Sequence, residues 1–309
     1  MVATADLEVT ASVPYFGAPR YVRRAVESLL GQTHRRLTVV VVNDGDPVPP
    51  WRELEHIRDP RLVRFNLAKS RGPYFAHQIV LGASRTPYFL VQDADDWSSP
   101  ERAATLLATL VADGSDLAFS AWQQYREDAN GALSKTSIRW SRRQSGTKPA
   151  HPPTGQEPFL FDPNLTAEFI NRASHHGLFR KQSLERIGGY YGGFRMNYDT
   201  LLTNLLLIVG KVSFVDAPLY HYLRRADSLS HSRATGGQSA ERIRIREKQA
   251  ALYREALHFR RVWADRKISS VELTTCIAQL ATRSIPVEER SALAHETARL
   301  AGILRKVRT

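Results

Sequence analysis

Six consecutive residues, Leu37-Thr38-Val39-Val40-Val41-Val42, carry almost no polar surface. β-branched side chains of this kind favour an extended backbone. A strand without polar alternation must be buried on both faces. It therefore needs strand neighbours in a sheet and a helical layer above and below. The surrounding sequence supplies both. Glu8–Val13, Arg61–Asn66, Thr86–Gln92 and Asp116–Ser120 read as further strands. Pro19–Gly31 predicts a helix, with Tyr21, Val22, Ala25, Val26, Leu29 and Leu30 on one face at three- and four-residue spacing, ended by Gly31. Pro73–Ser84 predicts a second helix opening on proline. Pro100–Ala112 predicts a third, with Ser98 or Ser99 as its N-cap. This alternation predicts an α/β fold, a mostly parallel sheet with helices on both faces.

The character changes at Asp128–Pro163, rich in Ser, Gly, Pro, Lys and Arg. A hairpin near Asn130-Gly131 and then a long irregular loop are expected there. A helix at Leu165–Asn171, a short segment from Gly177, a helix from Lys181, a Gly188-Gly189 turn, a helix over Tyr198–Val209 and a strand at Val212–Val215 follow. From Gln238 onward the pattern is helical, and Pro286 sets off the last helix. We expect residues 1–235 to form one domain, its halves meeting near 125/126, and residues 236–309 a basic helical C-terminal region.

The net charge of +12 is concentrated there, since 18 of the 43 Lys and Arg but only 9 of the 31 Asp and Glu lie in 221–309. Such a region attracts polyphosphates, nucleic acid or an anionic membrane surface. A solvated helical face accounts for it equally well. Arg242, Arg244, Arg246 and Lys248 come with no recognised nucleic-acid motif, so nucleic acid is not expected as a partner. No apolar run approaches bilayer length. Met1–Leu7 has no secretory character. Cys276, the only cysteine, excludes an internal disulfide and a thiolate metal site. A cytoplasmic protein is expected, with the inner face of a membrane or a second copy of the chain as candidate contacts for the C-terminal helices.

Ligands of such sheets bind beyond the carboxyl ends of the strands, which points to Pro14–Gly17, Asn43–Asp46 and Asp93–Trp97. Asp93-Ala94-Asp95-Asp96-Trp97 is the sharpest of these. Three carboxylates within four residues repel one another and are costly to desolvate. A divalent cation holding two phosphates would compensate them; a turn with a helix cap is the plainer alternative. In Asn43-Asp44-Gly45-Asp46, Asp44 offers an acceptor to a nucleobase N–H or ribose hydroxyl, and Gly45 permits close backbone approach; a tight turn is the alternative. Arg71 or Lys69, ahead of Gly72-Pro73, suits a phosphate at a helix N-terminus, or simply a surface loop. Asp199, in Asn197-Tyr198-Asp199, suits a general base if it faces the same edge, and otherwise caps its helix. His175-His176 precedes Gly177 beside the same cleft.

Taken in order from Glu8 to Ser232, these segments resemble the family-2 glycosyltransferases, inverting enzymes of the GT-A fold. Ser12-Val13-Pro14-Tyr15-Phe16 is similar to the family's first strand and turn. Ala25–Thr33 resembles its SxLxQT helix end, Val41–Asp46 its DDGS turn, and Leu90–Asp96 its LDxDD motif. Phe179–Tyr190 resembles its fRrxxLexvGGF segment, and Tyr222–Ser230 its YRxHxxSxS segment. The resemblance implies a Rossmann-like nucleotide-binding domain that moves a sugar from a nucleoside-diphosphate donor, UDP favoured, to an acceptor hydroxyl with Mn²⁺ or Mg²⁺. The acceptor would be a saccharide, a lipid-linked molecule or a small natural product.

The resemblance assigns Pro14, Tyr15, Phe16, Asp44, Gly45, Arg71, Asp93, Ala94 and Asp95 to the donor. It gives Asp95 to the metal and Asp199 to general-base catalysis. Asp96, Trp97, His175, His176 and Tyr198 fall to acceptor or donor-sugar contacts. There are departures. Tyr198 stands where the family has Glu. Arg225 stands where it has His, so that Arg225 would bind the diphosphate directly or His231 would take the metal. Ala76-His77-Gln78 replaces an expected Asn. Two other readings are a nucleotidyltransferase making a nucleotide-sugar and a basic nucleic-acid- or membrane-surface-binding protein. The first usually carries a Gly-rich phosphate loop after its first strand, and Pro14–Pro19 lacks one.

Overall fold

The computed structural model describes residues 4–17, 19–128, 130–139, 169, 171–225, 228 and 235–307. Four parallel strands form one half of the sheet: β1 (Val9–Tyr15), β2 (Leu37–Asn43), β3 (Leu62–Asn66) and β4 (Tyr88–Val91). The helices α1 (Pro19–Leu30), α2 (Pro73–Ala83) and α3 (Arg102–Asp113) alternate with them. β5 (Trp97–Ser98), β6 (Leu117–Glu127), β7 (Leu133–Arg139), β8 (Gly177–Arg180) and β9 (Val212–Arg224) extend the sheet in the order β3-β2-β1-β4-β8-β6-β9-β5, with β7 on β6. β8 runs antiparallel to both β4 and β6, β5 antiparallel to β9, and β6 parallel to β9. The expected parallel sheet is thus confined to β1–β4, and the second half is mixed.

Both faces of β2 are covered, as its composition requires. Val39 and Val41 enter the core beneath α1 and α3, with Val9, Ala11, Leu29 and Leu106. Val40 and Val42 enter the opposite core, with Phe75, Ile79 and Leu201. All four valines are fully buried, each contributing about 1.5–3 kcal/mol.

The ends of β6, β9 and α3 differ from expectation. β6 and β9 are far longer than the segments at 116–120 and 212–215, because they pair with each other along most of their length through two register shifts. Local pattern missed this since Asp216 and Pro218 interrupt the apolar run of β9. α3 has Glu101 at its N-cap with no side-chain bond. Ser98 instead donates to Gln92 Oε1, and Ser99 meets His221. The hairpin at 128–132 is present between β6 and β7. The irregular loop beyond Arg139 and most of the helix expected at 165–171 lie outside the described residues.

The remaining helices are α4 (Lys181–Arg186), α5 (Tyr198–Val209), α6 (Ala240–Ala264), α7 (Ser270–Thr282) and α8 (Val287–Leu304). α6 to α8 have no separate core. Leu252, Tyr253, Ile277, Leu280 and Leu300 join Val40, Phe65, Phe75 and Leu205 in a single apolar cluster. Among the described residues, no helix is long and apolar enough to cross a membrane.

This shared core predicts cooperative unfolding. Leu300→Ala leaves a cavity under α8 and should lower stability by about 2–5 kcal/mol. Denaturant titration followed by circular dichroism and by tryptophan fluorescence should give one coincident transition. Separate transitions for the sheet and the C-terminal helices would show that the core is divided.

Candidate active site

A cavity of about 560 Å³ opens beyond the carboxyl ends of β1, β2 and β4. Pro14, Tyr15, Phe16, Asp44, Asp93, Ala94, Asp95, His175, Asp199 and Arg225 all line it. Segments spread over more than two hundred residues of sequence therefore meet in one place.

Asp44 follows β2 and is almost completely buried. Its Oδ1 accepts from the Arg71 amide at 2.8 Å. Its Oδ2 accepts from Ser70 Oγ and the Gly72 amide, both at 2.8 Å. Burial raises its pKa, and these three donors oppose the rise. Gly45, with φ +69°, lies so close to the same loop that a Cβ there would stand 2.3 Å from Lys69 C and Ser70 N. Asp44 thus moulds residues 69–72 while bordering the cavity. Gly45 serves the loop and is not part of the cavity wall.

The Asp93–Asp95–Asp96 carboxylates end up in three different environments. Asp96 is fully buried and turned inward, where Oδ2 accepts from Tyr220 Oη and Oδ1 from the Leu223 amide, both at 2.7 Å. Burial, then the charges of Asp95 and Asp93, push its pKa well up. Asp95 Oδ2 accepts from Arg225 Nε at 2.9 Å. Burial and the charge of Asp93 raise its pKa against the pull of Arg225. Asp93 Oδ2 lies 3.0 Å from His176 Nε2. Burial alone would raise its pKa, but the His176, His175 and His77 imidazoles outweigh burial and hold the carboxyl below its usual range. Beneath them Arg102, with no exposed surface, lies 4.6 Å from the Tyr220 ring and donates to Gln92, Ser98 and the Val91 carbonyl.

Asp199 stands at the start of α5, on the other side of the cavity. Tyr74 Oη donates to its Oδ1 at 2.7 Å, and His175 Nδ1 lies 3.4 Å from its Oδ2. Among the described residues two groups bring ligating atoms within 4.8 Å of one another: Asp93, His175 and His176, and Asp93, Asp95 and Asp96.

Several expected contacts are not made. The Arg71 guanidinium pairs with Glu289 of α8 at 2.7 Å and lies over Phe75, away from the cavity. Asp96 is consumed by β9, as described. Trp97 is held between Arg24, 3.7 Å from its ring, and His221, on which it stacks. Tyr198 is a core residue packed on Tyr74 and Phe194. His176 lies behind Asp93, stacked on Tyr220. In each case the residue type suited a ligand, but a tertiary partner claims the side chain. His231 lies outside the described residues.

Other cavity residues were given no site role from the sequence. Tyr74 and His77 lie on α2, Arg195 to Asn197 precede α5, Tyr222 lies near the end of β9, and Glu241 and Arg242 lie in the first turn of α6. Tyr74 and His77 share one helical turn just after the 69–72 loop, a spacing that offered a weak signal. Nothing local marks Glu241 or Arg242. Arg195, within 3.0 Å of Ser70 Oγ, stands where Arg71 was expected.

Residues 10–188 match the family model described as glycosyl transferase family 2. The succinoglycan biosynthesis protein ExoO of Rhizobium meliloti is 33% identical over 113 residues, 36% of this chain and 32% of its own length. The putative glycosyltransferase EpsH of Bacillus subtilis is 22% identical over 224 residues, 69% of this chain and 60% of its own. The chain thus spans about a third of ExoO and three fifths of EpsH. Among solved structures, S. aureus TarS 1-349 in complex with UDP-GlcNAc superposes with a TM-score of 0.61 at 15% identity, covering 95% of this chain and 80% of that one. The likeness establishes the GT-A fold.

Asp44→Ala should strand the donors of residues 70–72 and cost about 1–3 kcal/mol. Amide hydrogen exchange at 70–72 should accelerate; unchanged protection there would contradict the anchoring role. His77 is buried beside Ser12 Oγ, and burial lowers its pKa to about 3. The unfolded chain, with an imidazole pKa of about 6.5, binds the proton first, so His77 weakens the fold as pH falls from about 6.5 towards 3. Melting temperatures of His77→Gln should decline less over that window than those of the wild type.

Proposed function

The chain belongs to glycosyl transferase family 2 and is a glycosyltransferase, and from that premise we propose that it moves a sugar from a nucleoside-diphosphate donor to an acceptor hydroxyl by direct displacement, with inversion at the anomeric carbon. The observation that carries this reading is the convergence of Asp44, Asp93, Asp95 and Asp199 on one cavity. The volume suits a nucleotide-sized ligand. A UDP-sugar is the favoured donor, because TarS is solved with UDP-GlcNAc and with UDP. The acceptor class, among saccharides, lipid-linked molecules and small natural products, follows from the resemblance alone.

In this reading the nucleoside rests between the β1 turn (Pro14, Tyr15, Phe16) and the loop that Asp44 anchors. Asp95, with Asp93 beside it, suits a hard divalent cation: both offer carboxylate oxygens at the cavity, and the charge of Asp93 already raises the pKa of Asp95. Mg²⁺ or Mn²⁺ held there would neutralise charge on the departing diphosphate. Arg225, bonded to Asp95, adds a fixed positive charge within reach of the same phosphates.

Asp199 takes the proton from the acceptor hydroxyl as that oxygen attacks the anomeric carbon and the bond to the diphosphate breaks. Tyr74 fixes one carboxylate oxygen, and His175 faces the other. No enzyme nucleophile is required, so the configuration inverts.

Two substitutions test the assignment. Asp199→Asn should cut UDP release from UDP-GlcNAc by about 10²–10⁴-fold, while the donor still raises the melting temperature. Near-normal turnover by that variant would remove Asp199 from the base role. Asp95→Ala should abolish Mn²⁺-dependent turnover; activity equal to the wild type in the presence of a chelator would reject metal assistance.

A further inference from the structure

Asn197 has the backbone of a left-handed residue, φ 62° and ψ 10°, at the N-cap of α5. A β-carbon disfavours this conformation, although asparagine tolerates it better than most residues. An asparagine at this position ordinarily caps its own helix. Here it makes no side-chain cap bond to α5. Its amide is turned away, and Nδ2 donates to Gln249 Oε1 at 3.0 Å.

Gln249 has no exposed surface and sits on α6. Its own Nε2 donates to the Met196 carbonyl at 3.2 Å. One buried amide therefore grips both a side chain and a main-chain group of the dipeptide Met196-Asn197. The stretch leading into it is also moulded on the C-terminal helices. Gly193, φ +82°, lies where a Cβ would be 2.2 Å from the Ser284 carbonyl, just past α7. Met196, Asn197 and Asp199 line the cavity. The N-cap backbone sets the direction in which the helix leaves, so it sets where Asp199 points, two residues on.

We propose that Gln249 is a positioning residue for catalysis: α6 clamps the strained N-cap of α5 so that the Asp199 carboxylate stays between Tyr74 and His175. Gln249 lies outside residues 10–188, the part matched by the family model. The inference rests on the reading of Asp199 as the general base. It gives the C-terminal helices a part in the chemistry rather than in stability alone.

The test compares Gln249→Leu, Asn197→Ala, their double mutant and Gln249→Leu/Asn197→Gly, assayed as UDP release from UDP-GlcNAc beside amide exchange and melting temperature. Gln249→Leu should lower kcat about ten- to a hundredfold through misplacement of the carboxylate, with donor KM changed less than about twofold. Exchange at 194–200 should quicken. The double mutant should lose less than the product of the two single losses, since the two side chains share one hydrogen bond. Glycine at 197 takes the left-handed backbone without steric cost, so Asn197→Gly should restore part of the lost kcat. Wild-type kcat in folded Gln249→Leu, or a loss that Asn197→Gly does not recover, overturns the proposal. Asp199→Asn in the same assay separates the two failures. Turnover by that variant removes the base assignment and this inference with it. An inactive Asp199→Asn beside an unimpaired Gln249→Leu removes the positioning role alone.

Discussion

Three carboxylates packed at the end of β4 cannot coexist without compensation, and much of the second half of the chain is arranged around supplying it. Asp96 takes a hydroxyl and a main-chain amide from β9. Asp95 takes the Arg225 guanidinium just beyond the same strand. Asp93 takes an imidazole from the segment before β8. Arg102 is buried beneath Tyr220, where burial lowers its pKa to about 10, still leaving it a cation at neutral pH. Each bond spans more than eighty residues of sequence, so the repulsion within one tetrapeptide fixes how the mixed half of the sheet docks on the parallel half. Repulsion becomes register: β9 can satisfy Asp96 only with Tyr220 and Leu223 in place.

The C-terminal helices brace the opposite wall. α8 reaches the Asp44 side of the cavity through Glu289, which holds Arg71 and with it the loop that Asp44 shapes. α6 reaches the Asp199 side through Gln249. Both contacts lie above one continuous apolar core. A helix packed on such a core can hold a loop rigidly, because moving it would open voids that a close-packed interior resists. Two loops that border the cavity from different sides are thereby set against one scaffold.

The split between legible and hidden residues follows from chemistry. Leu37–Val42 announced a two-sided strand because five aliphatic residues and one threonine, five of the six β-branched, favour an extended segment without a polar face. The helices over Pro19–Leu30, Pro73–Ala83 and Tyr198–Val209 were legible from spacing and from proline at the first turn of two of them. Asp44, Asp93, Asp95 and Asp199 were legible because each follows a strand or opens a helix at the ligand-bearing edge. Arg71, Asp96, Trp97 and Tyr198 misled for one shared reason. A charged or aromatic side chain at that edge can turn either way, and a partner distant in sequence decides which. Glu289 turned Arg71; Tyr220 and the Leu223 amide turned Asp96.

The amino-acid sequence alone determined the layered α/β architecture, the edge at which the cavity opens and the family resemblance, since these rest on periodicity, turn residues and short motifs. Only the tertiary structure decided which carboxylates face the cavity, that Arg195 borders it in the expected place of Arg71, and that α6 and α8 brace its walls. Those outcomes depend on contacts between residues far apart in the chain, and the hydrogen bonds and ion pairs that settle them leave no local trace in composition or spacing.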